Sequence, residues 1–186
     1  MMWLYLQKTR KNYKKNLSIW DEELKKNGLT MNKTKTKVMR ITRKKEERRE
    51  QEEIKIDDTV IDWVESYDYL GTRIANDGKM NEEILNRINK ASQVYYQLNQ
   101  IIINKKELKN ETKIQMYNSI YVPTLTYGLE TSILEKKHKS KIQASEMKYL
   151  RQTLGKNKRD KVRNTKIRDD TKQQPLNDKI EQRQLA

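Results

Sequence analysis

The chain contains no cysteine, which rules out thiolate catalysis, disulfide staples and every zinc site built on sulfur. The same absence leaves the redox compartment unmarked. There is one histidine, His138, set among lysines, and it reads as a surface residue. Phenylalanine is missing too, while Lys, Asn, Ile and Glu abound, a bias that an adenine-rich, thymine-poor coding strand would produce. The opening apolar run, Met1 to Leu6, is broken by Gln7, Lys8 and Arg10 too early for a signal peptide or a membrane-spanning helix. Nothing argues for secretion, so the sequons at Asn16, Asn32 and Asn110 carry no weight. No stretch repeats at a fixed period, which excludes solenoid folds.

What the sequence does hold is charge. Of 186 residues, 36% are charged and 34% hydrophobic, so the core must be carried by amphipathic elements rather than by buried runs. The 41 Lys and Arg outnumber the 26 Asp and Glu, giving a formal charge of +15 and a field that concentrates polyanions. Nucleic acid is the expected partner. A membrane surface is disfavoured because the cations are dispersed and no helix sets a Lys/Arg face against a broad Trp/Leu face.

Periodicity supplies the elements. Trp3 to Leu6 reads as a short strand; Tyr13, Leu17, Trp20 and Leu24 then lie on one face of a helix that should stop near Gly28. Thr36 to Thr42 reads as a strand and Arg43 to Glu53 as a solvated loop or frayed helix. Ile54, Ile56, Val60 and Ile61 suggest two short strands about an Asp57-Asp58 turn, and Tyr69 to Ile74 a third strand closed by Asn76-Asp77-Gly78. From Met80 the spacing becomes helical through Ile84, Ile88, Ala91, Tyr95, Leu98 and Ile102. A second helical stretch carries Ile114, Tyr117, Ile120 and Tyr121 and must bend or end at Pro123. A third, from Lys136 to Leu154, turns Ile142, Met147, Leu150 and Leu154 inward and ends at Gly155. Beyond Gly155 the chain is polar and basic, and is expected to be loosely ordered apart from a short helix near Val162 to Arg168. The class is α+β, mainly α: a small antiparallel sheet followed by a helical bundle.

Several residue groups are candidates for function. Arg87 and Lys90, on what reads as the polar side of the first long helix, are candidates for phosphate contact with Arg151, Lys156, Lys158, Arg159, Lys161, Arg163, Lys166 and Arg168. Lys33, Lys35 and Lys37 alternate, so on an extended segment all three would project to one side. Asp57-Asp58 superficially mimics a polymerase metal dyad, but without an aromatic two residues earlier or a partner aspartate it reads as a polar hairpin turn. Asp169-Asp170 reads as a helix-end charge pair. Tyr95, Tyr117, Tyr121 and Tyr149 fall at core spacing, which favours packing over base stacking.

Four stretches, taken in order, resemble the carboxyl-terminal half of the endonuclease/reverse transcriptases of non-LTR, LINE-type retrotransposons. Trp20 to Met39, with Gly28-Leu29 and Lys35-Thr36-Lys37-Val38-Met39, resembles the helix, turn and strand that follow the catalytic hairpin (motif D). Tyr67-Asp68-Tyr69-Leu70-Gly71 with Ile74 and Asp77-Gly78 is similar to the primer-grip hairpin. Tyr121, Pro123, Leu125, Tyr127-Gly128 and Glu130 are similar to a thumb-helix signature, and Leu150-Arg151, Gly155, Arg163-Asn164 and Ile167-Arg168 to the basic end of that lobe.

The resemblance implies a palm remnant over residues 1–78, a three-helix thumb over 79–155 and a basic, partly disordered tail over 156–186. It implies a parent activity of RNA-directed DNA synthesis with deoxynucleotides and magnesium, and a primer–template duplex as partner. It assigns Tyr69, Leu70 and Gly71 to primer support and Lys35 to the leaving pyrophosphate as a general acid. The Tyr-x-Asp-Asp hairpin falls immediately before the position of Met1, so the chain is expected to carry no catalytic aspartate, no metal site and no small-molecule substrate of its own. Two rival expectations stand beside it: a stand-alone basic nucleic-acid-binding module, and a non-functional translated relic.

Overall fold

The structure, a computed structural model, describes residues 13–49 and 52–185. The expected strand at Trp3 to Leu6 lies outside the described residues. The fold is α+β and mainly α, with 57% helix and two small antiparallel two-stranded sheets. The chain divides into two compact units, the described residues up to 67 with Ala75–Gly78, and Asp68–Ile74 with 79–185.

In the first unit, α1 (Tyr13–Lys26) forms where the sequence predicts it, with Lys25 and Lys26 complementing the negative end of its dipole. It stops at Gly28, whose φ of +70° is one that only glycine adopts freely. β1 (Lys55–Ile56) pairs antiparallel with β2 (Thr59–Val60) across an Asp57-Asp58 turn. The core is thin: Ile54, Ile56, Ile61 and Ala75, joined by the buried carboxylate of Asp21.

One expectation fails in this unit, and the charged run takes the helical one of its two expected forms. Thr36 to Thr42 makes only a single parallel bridge, Val38 to Trp63, rather than a strand, because no long neighbour offers it a ladder. The charged run holds a short helix, α2 (Lys45–Arg49), fixed by Arg48 donating to the Thr42 carbonyl at 2.8 Å.

β3 (Ser66–Tyr69) and β4 (Thr72–Ala75) form a hairpin, as the resemblance implies, where the residue pattern alone predicts one strand over Tyr69 to Ile74. The two residues between them, Leu70 and Gly71, have φ of +48° and +81°, the signs a type I′ turn requires. The turn signal was hidden because leucine occupies a position that usually takes Asn or Gly.

The second unit is built on α3 (Asn81–Leu98), which continues through a π-helical turn at Asn99–Ile103. Next comes one bent helical run: α4 (Asn110–Met116), a π turn over Tyr117–Tyr121 and α5 (Val122–Thr126). The widened turn sits just before Pro123, whose ring has no amide hydrogen to continue the ladder. α6 (Lys136–Thr153) crosses this run and ends at Gly155, with φ of +64°.

The short helix expected near Val162 to Arg168 is present as α7 (Asn164–Thr171), but the remainder of the expected loose tail is helical too, as α8 (Leu176–Leu185). Ile167, Leu176 and Ile180 are buried in the same core as Ile84, Tyr95, Leu125, Ile142 and Leu150. Three well-spaced apolar side chains suffice because α6 already offers an apolar face. The bundle therefore has more than the three helices expected.

The absence of phenylalanine shapes this core. Tyr117, Tyr121 and Tyr149 supply the aromatic bulk, with ring centroids 4.8 to 5.8 Å apart. Each buried hydroxyl then needs an acceptor. Tyr117 donates to Glu146 at 3.4 Å, Tyr121 to the Ser145 carbonyl at 2.9 Å and Tyr149 to the Lys113 carbonyl at 3.2 Å. Burial raises the pKa of all three phenols, that of Tyr121 to about 12.

Candidate nucleic-acid interface

A run of exposed positive charge lies between α6 and the first turn of α7. Over 156–166 the sequence places Lys156, Lys158, Arg159, Lys161, Arg163 and Lys166 against one acid, Asp160. All six cations are exposed, and among the described residues none has a carboxylate within ion-pair distance. The segment nevertheless has a defined backbone. The Asn157 side chain accepts from the Arg159 amide at 2.7 Å and the Asp160 carboxylate from the Asn157 amide at 2.7 Å, closing a 3₁₀ turn over Lys158–Asp160. Lys161 then takes the left-handed conformation, φ +52°, and the extended Arg163 opens α7. Asp160 is thus spent on the turn and the cations are left to face solvent.

Three residues expected among the phosphate contacts are used internally. Arg87 is 5% exposed: it pairs with Glu83 at 2.5 Å, donates to the Gly71 carbonyl at 2.5 Å and lies 4.6 Å over the Tyr127 ring. Arg168 pairs with the fully buried Glu146 at 2.7 Å. Arg151 donates to the Val162 carbonyl at 3.4 Å and to the Asn164 side chain, tying the end of α6 to the start of α7. In each case the guanidinium donates to oxygen acceptors of the protein itself. Lys90 is exposed on α3, as expected.

The residues assigned by resemblance to primer support come together at the hairpin tip. The Leu70 carbonyl accepts from the Tyr127 hydroxyl at 2.9 Å, the Gly71 carbonyl from Arg87, and the Arg73 amide donates to Glu83 at 2.7 Å. The tip is clamped through its backbone, which leaves the Leu70 side chain 63% exposed. Tyr69 is half-buried.

Lys33, Lys35 and Lys37 do not share one side of an extended segment, because Asn32 caps a turn by accepting from the Lys35 amide at 3.1 Å. Lys33 pairs with Asp57 and Lys37 with Asp62, each at 2.6 Å, while the Lys35 side chain is exposed. Asp57 also faces Lys25 at 3.2 Å, and its hydrogen bonds to Lys33 and Lys25 hold its carboxyl below the ordinary range. Among the described residues no three carboxylate or imidazole groups converge where a cation could sit. The described residues do not fit the magnesium pair implied for the parent enzyme.

His138 is buried rather than on the surface. Its Nδ1 accepts from the Glu135 amide at 3.3 Å and its Nε2 lies 2.8 Å from the Asn81 side-chain oxygen, joining the starts of α6 and α3. Desolvation lowers its pKa below 6.5.

Tyr96 and Lys148 were missed in the sequence. Lys148 Nζ lies 4.4 Å from the centroids of both Tyr95 and Tyr96 and donates to the Tyr96 hydroxyl at 3.0 Å. The available signal was the doublet itself: Tyr95 sits on the buried face of α3, so its neighbour Tyr96 must point outward. Among the described residues no helix is long and apolar enough to cross a membrane. Compared with known proteins, the chain matches no family model, no curated protein and no solved structure.

Proposed function

We propose that this chain is the palm end and thumb of a non-LTR retrotransposon reverse transcriptase, and that it holds a primer–template duplex by its phosphate backbone. The observation that carries the reading is the segment from Lys156 to Lys166, the loop after α6 and the first turn of α7, with six exposed cations that have no carboxylate partner among the described residues. An unpaired cation on an ordered loop releases phosphate counterions without first breaking an ion pair. Contacts of this kind position a duplex and do not read its sequence. Nucleotidyl transfer belongs to the parent enzyme; the described residues bind and orient.

A titration against RNA:DNA hybrid at two salt concentrations tests the reading. If roughly four of the six cations reach phosphates, log K falls with log salt at a slope of about −3.6. Replacing Lys156, Lys158 and Arg159 together by glutamine should flatten that slope by about 2.7 with no loss of fold. Affinity indifferent to salt, or to the triple substitution, would sink the proposal.

A second reading, a stand-alone binding module, is favoured by the tail. Ile167, Leu176 and Ile180 close the core of the second unit, as a self-sufficient domain requires. It shares the binding chemistry and differs only in lacking a polymerase as its context.

A further inference from the structure

Resting on that reading, we propose that Tyr96 and Lys148 form a subsite for one unpaired nucleotide of a single strand that continues from the bound duplex. The base would stack on the open face of the Tyr96 ring and Lys148 would meet the adjoining phosphate.

Tyr96 is 57% exposed on a well-formed helix, its ring 5.3 Å edge-on from that of the core residue Tyr95. Lys148 covers the ring from one side and fixes its hydroxyl, which leaves the ring held in place and the rest of it facing solvent. Lys148 has no carboxylate partner among the described residues, so its charge is available to an anion. An ordered ring beside an unpaired cation is what sequence-tolerant single-strand recognition uses, because every base has a π-face and every nucleotide a phosphate.

The subsite shares α6 with the cationic loop. One turn beyond Lys148 on α6, Gln152 donates to the Asn104 side chain at 2.9 Å, and the helix ends at Thr153, with Gly155 turning the chain before Lys156. A strand leaving the loop would therefore reach Tyr96 by following α6, whereas the exposed Ile101 is aliphatic and offers no π-face on which a base could stack.

The test uses the full chain and a labelled hairpin duplex in three forms: blunt, with an overhang of about four thymidines, and with an overhang of equal length lacking bases. The overhang with bases should bind roughly tenfold tighter than the blunt duplex, and the abasic overhang should lose most of that gain. Tyr96→Ala should abolish the preference and leave blunt-duplex affinity unchanged, while Tyr96→Phe should retain most of it. Lys148→Ala should reduce the salt slope on the overhang by about 0.7. Equal affinity for blunt and overhanging duplex, equal gain from the abasic strand, or a preference that survives Tyr96→Ala would each overturn the subsite and leave the duplex-binding reading standing. Failure to bind any of the three probes would overturn both.

Discussion

Glu146, with no exposed surface, holds Arg168 at 2.7 Å and so ties α6 to α7 through a buried ion pair. The same carboxylate accepts from the Tyr117 hydroxyl and from the Leu176 amide at 3.2 Å, so it joins four elements at one point. Burying such a pair contributes little net stability, but removing one partner strands a charge. Arg168→Ala should therefore lower unfolding stability by about 3 kcal/mol in a denaturant titration. Replacing Glu146 and Arg168 together by apolar residues should cost less than the two single losses combined. Additive losses would show that the pair is not coupled.

Arg87 and Lys90 stand three residues apart on α3 and should behave as opposites. Arg87→Ala leaves Glu83 unpaired in the interior and the Gly71 carbonyl without its donor, which should cost about 3 kcal/mol and loosen the hairpin tip. Lys90→Ala should change stability by no more than about 0.5 kcal/mol. A thermal melt of each variant checks the contrast. Comparable melting temperatures would mean that the Arg87 network contributes nothing.

Why Arg87 was expected outside is instructive. It lies three residues after Ile84 and four before Ala91, so helical geometry alone puts it on the apolar face. Glu146 is likewise four from both Ile142 and Leu150, and His138 is four before Ile142. Charge or polarity makes Arg87 and His138 read as outside, and all three are inside because a specific partner waits there. Regular features were legible: the turn of α1 at Gly28, the long apolar stripe of α3, the kink near Pro123 and the inward tyrosines. What the sequence hid depends on contacts distant along the chain. The packing of Ile167 and Ile180 needs the α6 face, and the Leu70-Gly71 turn needs Tyr127 and Arg87 to hold it. At the candidate interface, the Lys156–Lys166 cations were legible as charge, but only the structure separates them from the internally engaged Arg151 and Arg168.

His138 gives the second unit a pH dependence. Burial lowers its folded-state pKa beneath the ordinary 6.5, with Lys137 and Lys141 acting in the same direction and Glu135 against it. The unfolded chain then binds more protons as the pH falls through that window, so stability is present above 6.5 and drains away below it. Geometry agrees, since protonation would aim the Nδ1–H at the Glu135 amide that now donates to it. Melting temperature measured from neutral to mildly acid pH should fall in the native chain. His138→Gln should be less stable at neutral pH and less sensitive to acid. An identical pH profile in the variant would remove His138 from the account.

Leu70 is the place where stability and function should part. At φ +48° a leucine carries a strain of roughly 1 kcal/mol that asparagine largely escapes, and with 63% of its surface open it gains little from burial in return. Leu70→Asn creates the Asn-Gly pair that type I′ turns favour and should raise stability by about 1 kcal/mol. The turn's clamps are backbone carbonyls and survive the exchange. If the side chain supports a primer strand, as the resemblance to a primer grip implies, the stabilised variant should bind hybrid duplex less tightly at fixed salt, with an unchanged salt slope because no charge has been removed. A variant that gains stability and keeps full affinity would show that the exposed leucine serves no strand, and the primer-support assignment of Leu70 would fall with it.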